Sequence, residues 1–408
     1  MRTDLTFIEG GVTAAKGFRA AGAYSGIGRK PEKPDMALIA AELPCAAAAV
    51  YTKNKVKAAH IAVMKRFLAD GRAQAVVVNS GNANTCNADG EEVAENACAL
   101  AAGVLGVRKE DVLPAATGVI GVPLPIEPFQ KTLPVLAEQL SETGSSAAAK
   151  AIMTTDTEPK ELAVRFQAGG KTCTLGGIAK GSGMIHINMG TMLCFMTTDM
   201  AISSEMLGKA LREEVPGSFN QISVDGDTST NDTLLILADG LAGNPEITGP
   251  GADYDAFADA LHALCVAFAK KIAADGEGAT KLIEAHVTGA PTLETARLVS
   301  KSIICSSLFK AAVYGADANW GRILCAIGYT PADFSCQNVD IAMSSPVGEI
   351  QVCRSSAGVP FDEDLAAAIL KEDHVIVEVA LHDGTEEAWA WGCDLTHEYV
   401  TINGSYRS

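Results

Sequence analysis

Apolar runs and polar, glycine-rich loops alternate along the whole chain. Short runs rich in valine, leucine and isoleucine predict buried strands. These strands cover residues 73–79, 162–168, 171–178, 192–198, 234–238, 283–287, 374–381 and 387–391. Longer runs, many of them rich in alanine, predict helices over residues 91–105, 129–142, 254–273 and 293–309. Because strands and helices interleave, the sequence predicts an α/β protein.

Turn-forming residues indicate how some of these elements are joined. Gly169-Gly170 separates two adjacent strands and predicts a β-hairpin. The turn His382-Asp383-Gly384 predicts that the last two strands also pair directly with each other. The helix over 293–309 is expected to be followed by a loop at Gly315.

Composition and charge then exclude several classes of protein. The chain has 408 residues, 48% of them hydrophobic, which is ample for a large core. Its formal charge of −17 argues against nucleic acid and against an anionic membrane surface as partners. No apolar run reaches the roughly 18 residues of a membrane helix. The start of the chain lacks the basic and apolar segments of a signal peptide, so a cytoplasmic location is expected.

The cysteines, the histidines and the acidic run at 225–232 do not form the patterns typical of metal sites. The 11 cysteines form no C-x-x-C pair, and the seven histidines show no H-x-x-x-H spacing. The polar run at 225–232 fails the calcium-loop pattern, because Thr230 stands where glycine is needed and Ile236 where glutamate is needed. We therefore interpret that run as a polar turn, and expect neither metal nor cofactor. The scattered cysteines fit a reducing compartment.

The strongest candidate for chemistry is a threonine that follows a glycine in mid-chain. Gly190-Thr191 lies between a polar, glycine-rich stretch and an apolar run. An internal threonine hydroxyl is a poor nucleophile. A free α-amino group, with a pKa of about 7.7–8.0, can take its proton. A cut between Gly190 and Thr191 would supply such an amine, and the hypothesis that the chain makes this cut itself depends on a family resemblance of the surrounding residues.

The residues around this bond resemble the self-cleaving site of the ornithine acetyltransferase family, and the resemblance extends over nearly the whole chain. Two positions differ from the family pattern and bear on the cleavage rate: Gly190 stands where alanine is expected, and Ile187 where proline is expected. The matching blocks are Gly17-Phe18-Arg19-Ala20-Ala21-Gly22, Asn79-Ser80-Gly81-Asn82-Ala83-Asn84, Ala116-Thr117-Gly118-Val119-Ile120-Gly121, Met153-Thr154-Thr155-Asp156-Thr157, Lys180-Gly181-Ser182-Gly183, Ser223-Val224-Asp225-Gly226-Asp227-Thr228-Ser229-Thr230-Asn231-Asp232, Gly315-Ala316-Asp317-Ala318-Asn319-Trp320-Gly321-Arg322 and Tyr399-Val400-Thr401-Ile402-Asn403.

The resemblance implies roles for particular residues, and each has a plainer alternative. Thr117 and Gly118 would form the oxyanion hole, although a glycine-containing loop is usually just a turn. Lys180 would lie in the active site, although a surface lysine is the ordinary interpretation. Glu277 lies between two glycines, in what is otherwise a helix-ending loop. The residues implied to bind substrate are Thr154 (with Thr157 as the alternative), Lys180, Thr191, Glu277, Asn403 and Ser408.

The resemblance also implies the architecture and the reaction. The fold would be a layered α/β sandwich, cut into chains 1–190 and 191–408 that assemble as a heterotetramer of two of each. Thr191 would carry acetyl from N-acetylornithine to glutamate, and some members of the family also use acetyl-CoA. A self-processing amidohydrolase or aminopeptidase, with water as acceptor, is the alternative enzyme. An uncleaved binding protein with the same fold is the non-catalytic alternative.

Overall fold

Two β-sheets and their helices make up the fold. The computed structural model describes residues 5–28, 31, 33–186 and 192–405. The strands in this part of the chain are β1 Thr6–Ile8, β2 Phe18–Ala23, β3 Met36–Tyr51, β4 Arg72–Asn79, β5 Val112–Ala116, β6 Lys160–Ala168, β7 Lys171–Lys180, β8 Ile185–His186, β9 Leu193–Thr198, β10 Ile222–Thr228, β11 Thr233–Ala238, β12 Leu282–Ala290, β13 Asp340–Ser345, β14 Gly348–Arg354, β15 Ala357–Gly358, β16 His374–Ala380 and β17 Glu386–Cys393.

The helices vary from about two turns to more than six turns in length. They are α1 Ala59–Phe67, α2 Gly90–Leu105, α3 Glu127–Gln139, α4 Ser145–Ala151, α5 Ser204–Glu214, α6 Ala252–Ala274, α7 Leu293–Cys305, α8 Ser307–Tyr314, α9 Trp320–Gly328, α10 Glu363–Lys371 and α11 His397–Gly404. Among the described residues, no helix combines the length and apolar character needed to cross a lipid bilayer.

The chain divides into two compact units, and each is built from segments on both sides of residue 191. The described part of unit 1 comprises residues up to 181, residues 192–215 and residues 228–268. Its sheet has the strand order β1-β6-β7-β9-β11-β3-β4-β5, and β2 also pairs with β3. Helices α1 to α5 pack on this sheet, and its core includes the fully buried Leu38, Val76 and Leu133.

Unit 2 comprises the described residues of 182–186, 216–227 and 269–405. Its sheet has the strand order β15-β14-β13-β16-β12-β17-β10-β8. Helix α7 packs across β12 and β17, and Gly392 permits the close approach because a Cβ there would lie 2.9 Å from Cβ of Ile304. The core of this unit includes the fully buried Ile283, Val299 and Val377.

Most of the elements predicted from hydrophobic patterns are confirmed, and so is the α/β class. The Gly169-Gly170 hairpin is present as β6 and β7, which pair antiparallel along their length. Both glycines have positive φ, 56° and 71°, a conformation that glycine adopts without the cost a Cβ would impose. Each unit places helices against a mostly buried sheet, as the interleaved pattern predicts.

The single helix predicted over 293–309 is wrong, because two helices, α7 and α8, cover this range. Helix α7 ends at Cys305, and Ser306 has the extended ψ of 106°. The Ser306 hydroxyl accepts a 3.3 Å hydrogen bond from the Phe309 backbone N–H and so caps the start of α8. A serine side chain that satisfies the first N–H groups of a helix stabilises a new start. The apolar periodicity continued across this break and concealed it.

The direct pairing predicted for the last two strands is also wrong. Strand β12 lies between them, parallel to β16 and antiparallel to β17. A central strand needs partners along both edges to satisfy its backbone groups, and β16 and β17 supply them. The turn at His382 therefore connects strands that are not neighbours in the sheet.

Candidate active site

Thr117 lies where two parallel strands of unit 1 end together. Strands β4 and β5 are buried runs, and their last residues, Asn79 and Ala116, are paired in register. The Thr117 N–H donates a 3.0 Å hydrogen bond to the Asn79 carbonyl, which joins the two loops that follow. The carboxyl ends of neighbouring parallel strands are where α/β proteins commonly place their binding loops.

Gly118 has a backbone conformation that only glycine can adopt at this point. Its φ is 133°, and a Cβ at this position would clash with the backbone of Gly81 and Asn82. Within the part of the chain that the structure describes, no group accepts a hydrogen bond from the Gly118 N–H. A fixed loop that carries an unused N–H beside a threonine hydroxyl has the donors that an oxyanion requires.

Asn231 anchors the loops that follow β4 and β5 through side-chain hydrogen bonds. Its Nδ2 donates hydrogen bonds of 2.6 Å to the Ala83 carbonyl and 2.8 Å to the Ala116 carbonyl. Its Oδ1 accepts a 3.0 Å hydrogen bond from the Thr85 hydroxyl. The polar turn predicted at 225–232 is therefore only half correct, because its first residues belong to β10 and only its end forms this brace.

Lys180 is buried at the end of β7, with 8% of its surface exposed, so its interpretation as a solvated surface lysine is wrong. Its Nζ donates a 2.9 Å hydrogen bond to Thr154 Oγ1 and lies 3.4 Å from Thr117 Oγ1. Three of the residues implied by the resemblance therefore lie together in unit 1. Burial of an ammonium group among hydroxyls is costly unless nearby carboxylates compensate for it.

Asp156 supplies that compensation. The carboxylate accepts hydrogen bonds from Lys160 Nζ at 2.8 Å, from the Gly181 N–H at 2.7 Å and from the Thr154 N–H at 3.0 Å. Burial opposes its ionisation, but the charges of Lys180 and Lys160 outweigh burial and hold the pKa of Asp156 well below its usual range. In the sequence, Asp156 was indicated only as part of the block Met153-Thr154-Thr155-Asp156-Thr157. Its signal was its position two residues after Thr154.

Glu277 and Asn403 lie together in unit 2. Asn403 Nδ2 donates a 2.7 Å hydrogen bond to Glu277 Oε2. The Glu277 N–H donates to the Ser182 carbonyl at 3.0 Å, and the carboxylate packs against the Cα of Gly183. Glu277 follows α6, as a helix-ending loop would, yet it is only 7% exposed. A buried carboxylate at a loop is unusual unless it has a partner or binds a ligand.

Asp225 fixes the segment that leads to the proposed cleavage site. It accepts hydrogen bonds from the N–H groups of Met184, at 2.6 Å, and Ile185, at 2.8 Å. It also borders a cavity of about 530 Å³ in unit 2, which no pattern in the sequence indicated. Burial, and then the charges of Asp225 and Glu277, raise the pKa of Tyr399, so its phenol stays protonated at the edge of this cavity.

Gly190, Thr191 and Ser408 lie outside the described residues, so the structure does not locate them. It does describe the strand that follows the proposed cleavage site. Leu193, the first residue of β9, is paired on one side with Lys180 of β7 and on the other with Thr233 of β11.

A family model and two named relatives match nearly the whole chain. The model of the ArgJ family matches residues 19–408. The chain is 52% identical over 406 residues to a Symbiobacterium thermophilum protein named arginine biosynthesis bifunctional protein ArgJ, covering 99% of this chain and 100% of that one. It is 48% identical to the Clostridium acetobutylicum protein ArgJ 1, covering 97% of each. The crystal structure of ArgJ from Bacillus halodurans is similar to 52% of this chain and 97% of that one, with 47% identity and a TM-score of 0.49.

Proposed function

This chain belongs to the ArgJ family, and we propose that it transfers the acetyl group of N-acetylornithine to glutamate through an acetyl-Thr191 intermediate. The family confirms the resemblance drawn from the sequence motifs. It also confirms that the chain is an enzyme of arginine biosynthesis. The substrates, the nucleophile and the self-cleavage are the proposal.

The nucleophile is created by self-cleavage between Gly190 and Thr191. Cleavage frees the Thr191 amine, which then acts as the base for the hydroxyl of the same residue. The products are chains of residues 1–190 and 191–408. Both compact units contain segments of both chains, which supports a cleaved protein that stays together as one assembly.

The observation that carries the proposal is the unused N–H of Gly118 beside the Thr117 hydroxyl. Attack of Thr191 on the acetyl carbonyl produces a tetrahedral oxyanion, which these two donors stabilise. Loss of one such donor typically costs about 10²–10³ in kcat. The buried Lys180 ammonium lies against the same hydroxyl and adds positive charge to this region.

Two further groups are proposed to bind substrate. The buried Glu277 carboxylate, held by Asn403, suits the cationic side-chain amine of ornithine. Thr154 and Lys180 provide a hydroxyl and a cation for a substrate carboxylate. Ser408 is proposed as a further ligand. Donor and acceptor are both α-amino acids, so one set of groups can serve both half-reactions.

Assembly and location are further parts of the proposal. We infer a heterotetramer of two chains of residues 1–190 and two chains of residues 191–408. The 11 cysteines all lie in the described part of the chain and none of them is joined in a disulfide there, which supports a reducing cytoplasm. Formation of N-acetylglutamate from acetyl-CoA and glutamate would identify acetyl-CoA as a second donor.

Ornithine release from N-acetylornithine, measured with and without glutamate, tests the function. The proposal predicts sustained release only when glutamate is present, together with an equal amount of N-acetylglutamate. Sustained release without glutamate, with free acetate as product, would instead identify the amidohydrolase. A protein that stays as one band near 42.3 kDa and releases no ornithine would support the uncleaved binding protein.

A further inference from the structure

A second lysine, Lys160, is buried beside the proposed substrate groups of unit 1. It begins β6, where it is paired with Ala179 of β7, and only 2% of its surface is exposed. Its Nζ donates a 2.8 Å hydrogen bond to Asp156 Oδ1 and a 3.5 Å hydrogen bond to the Glu158 carbonyl. Lysines are almost never fully buried unless they are paired. Two buried lysines, Lys160 and Lys180, therefore act on one carboxylate, that of Asp156.

The two ammonium groups have different partners. Both oxygens of the Asp156 carboxylate accept hydrogen bonds, and Lys160 Nζ is one of the donors. By contrast, the described groups that accept a hydrogen bond from Lys180 Nζ are two uncharged hydroxyls, those of Thr154 and Thr117. Lys160 forms an ion pair with Asp156, whereas no carboxylate of the described residues forms one with Lys180.

The charges at this position do not balance. Burial opposes the ionisation of Asp156, but the charges of Lys180 and Lys160 outweigh burial and lower the pKa of this carboxyl, so it stays ionised. Asp232 is a further carboxyl on which the Lys180 charge acts. It favours its neutral form, because burial raises its pKa well above the usual value, against the Ser229 side chain and the Lys180 charge. Two ammonium groups and one carboxylate leave one buried positive charge, which is costly until an anion binds.

We propose that Lys160 makes this site selective for substrates that carry a carboxylate, an inference that rests on the proposed binding of that carboxylate by Thr154 and Lys180. Lys160 neutralises Asp156, so the charge of Lys180 is left for the substrate. The Asp156 carboxylate accepts the Thr154 N–H at 3.0 Å, and Lys180 Nζ donates to the Thr154 hydroxyl at 2.9 Å. Without Lys160, Asp156 would therefore neutralise Lys180 instead. Because Lys160 acts through Asp156 and Lys180, it is a positioning residue.

The binding of ornithine and of putrescine tests this, because putrescine is ornithine with a hydrogen in place of the carboxylate. Calorimetric titration gives the ratio of the two dissociation constants, and wild type should bind ornithine more tightly. In Lys160→Met this preference should fall about 10- to 100-fold, as loss of a hydrogen bond to a charged group typically does, through weaker binding of ornithine alone. Lys171→Met is the control: it removes an exposed lysine charge from the other end of β7 and should match wild type.

A double variant separates the charge of Lys160 from any role in packing. Asp156→Asn combined with Lys160→Met removes both charges of the ion pair and leaves Lys180 with its own. The preference for ornithine should therefore exceed that of Lys160→Met and approach that of wild type. A role in packing predicts a preference no higher than in Lys160→Met, because the lysine side chain is still missing.

A folded Lys160→Met protein with the wild-type preference overturns the proposal, as does a double variant whose preference is as low as that of Lys160→Met. If Lys160→Met does not unfold cooperatively on heating, the double variant decides alone: a preference near that of wild type supports the proposal, and a lost preference overturns it. Equal binding of both compounds by wild type contradicts the proposed carboxylate site, and this inference with it. A wild type that keeps the preference but releases no ornithine from N-acetylornithine contradicts the proposed reaction and leaves the role of Lys160 standing.

Discussion

Lys180 Nζ donates a 2.9 Å hydrogen bond to Thr154 Oγ1, across 26 residues of sequence, and lies 3.4 Å from Thr117 Oγ1. This contact places a cation against both a proposed substrate ligand and a proposed oxyanion donor. Asp156 lies on the other side, and its carboxylate accepts the N–H of Gly181, the residue after Lys180. The hydroxyls of Thr154 and Thr117 therefore fix the position of the ammonium.

The first prediction concerns Lys180 and the pH dependence of the cleaved enzyme. Catalysis requires a neutral Thr191 amine, so kcat/KM should rise with pH through the pKa of that amine. A nearby ammonium disfavours the protonated amine and moves this rise to lower pH. Lys180→Met should therefore move the acidic limb upward, by on the order of one pH unit, and weaken substrate binding. Lys180→Arg keeps the charge, so its acidic limb should lie closer to that of wild type than the limb of Lys180→Met does.

A pH profile of kcat/KM for all three proteins, measured on fully cleaved enzyme, checks this. Lys171→Met is the control, because Lys171 is exposed at the other end of the same strand. An unmoved limb and unchanged kcat/KM in Lys180→Met would remove Lys180 from the active site.

The second prediction concerns Glu277. Glu277→Gln keeps the side-chain size and the contact with Asn403 but removes the charge proposed to bind the ornithine side chain. A hydrogen bond to a charged group is worth about 1.5–3 kcal/mol, so kcat/KM for N-acetylornithine should fall roughly 10- to 100-fold. Most of the loss should appear in KM. The exposed Glu398 offers the control, and Glu398→Gln should match wild type. Equal kinetics in both variants would contradict the assignment.

The third prediction concerns Asp239 and the pH dependence of stability. Burial, and then the charges of Asp199 and Glu42, raise the pKa of this carboxyl to about 7, although the Leu241 N–H opposes them. A pKa raised on folding gives stability that is complete below the unfolded value of about 3.9 and is lost as pH rises through about 7. Asp239→Asn removes this dependence. The difference in thermal unfolding midpoint, variant minus wild type, should grow from pH 4 to pH 7 and then stay constant. A difference that does not change with pH would contradict the assignment.

Local sequence signals predicted the helices and strands better than they predicted which strands lie next to each other in the sheet. Gly169-Gly170 specifies its hairpin because the strands on either side can pair only through that turn. The positions of β16 and β17 could not be predicted, because the strand between them, β12, comes from more than 80 residues earlier than β16. The contact between Asn403 and Glu277, 126 residues apart, likewise depends on tertiary packing. Here the family resemblance, and not any local pattern, singled out both residues.

The burial of particular polar residues likewise could not be predicted from the sequence. Asp156 and Lys160 are four residues apart, a spacing typical of surface ion pairs, yet both are buried. Asn231 and Asp232 belong to one polar block, but only the structure distinguishes them: Asn231 donates to the Ala116 carbonyl, whereas Asp232 Oδ2 has no hydrogen-bond partner among the described residues. Burial is decided by what packs over a residue, which a single sequence does not state.

The fourth prediction concerns self-cleavage. Thr191→Ala should remain a single chain near 42.3 kDa, because no hydroxyl is left to attack the Gly190 carbonyl. Wild type should give two bands, and N-terminal sequencing of one should begin at Thr191. If purified Thr191→Ala splits at the same bond without added protease, the threonine does not cut the chain.

The most direct test of the account is the mass of the chain that begins at Thr191 after brief exposure to N-acetylornithine without glutamate. An acetyl-enzyme requires that this chain gain one acetyl group, and that glutamate then remove it as N-acetylglutamate. Initial rates should accordingly give parallel lines in double-reciprocal plots. No gain in mass on rapid quench, together with intersecting lines, would contradict the account and indicate direct transfer between two bound substrates.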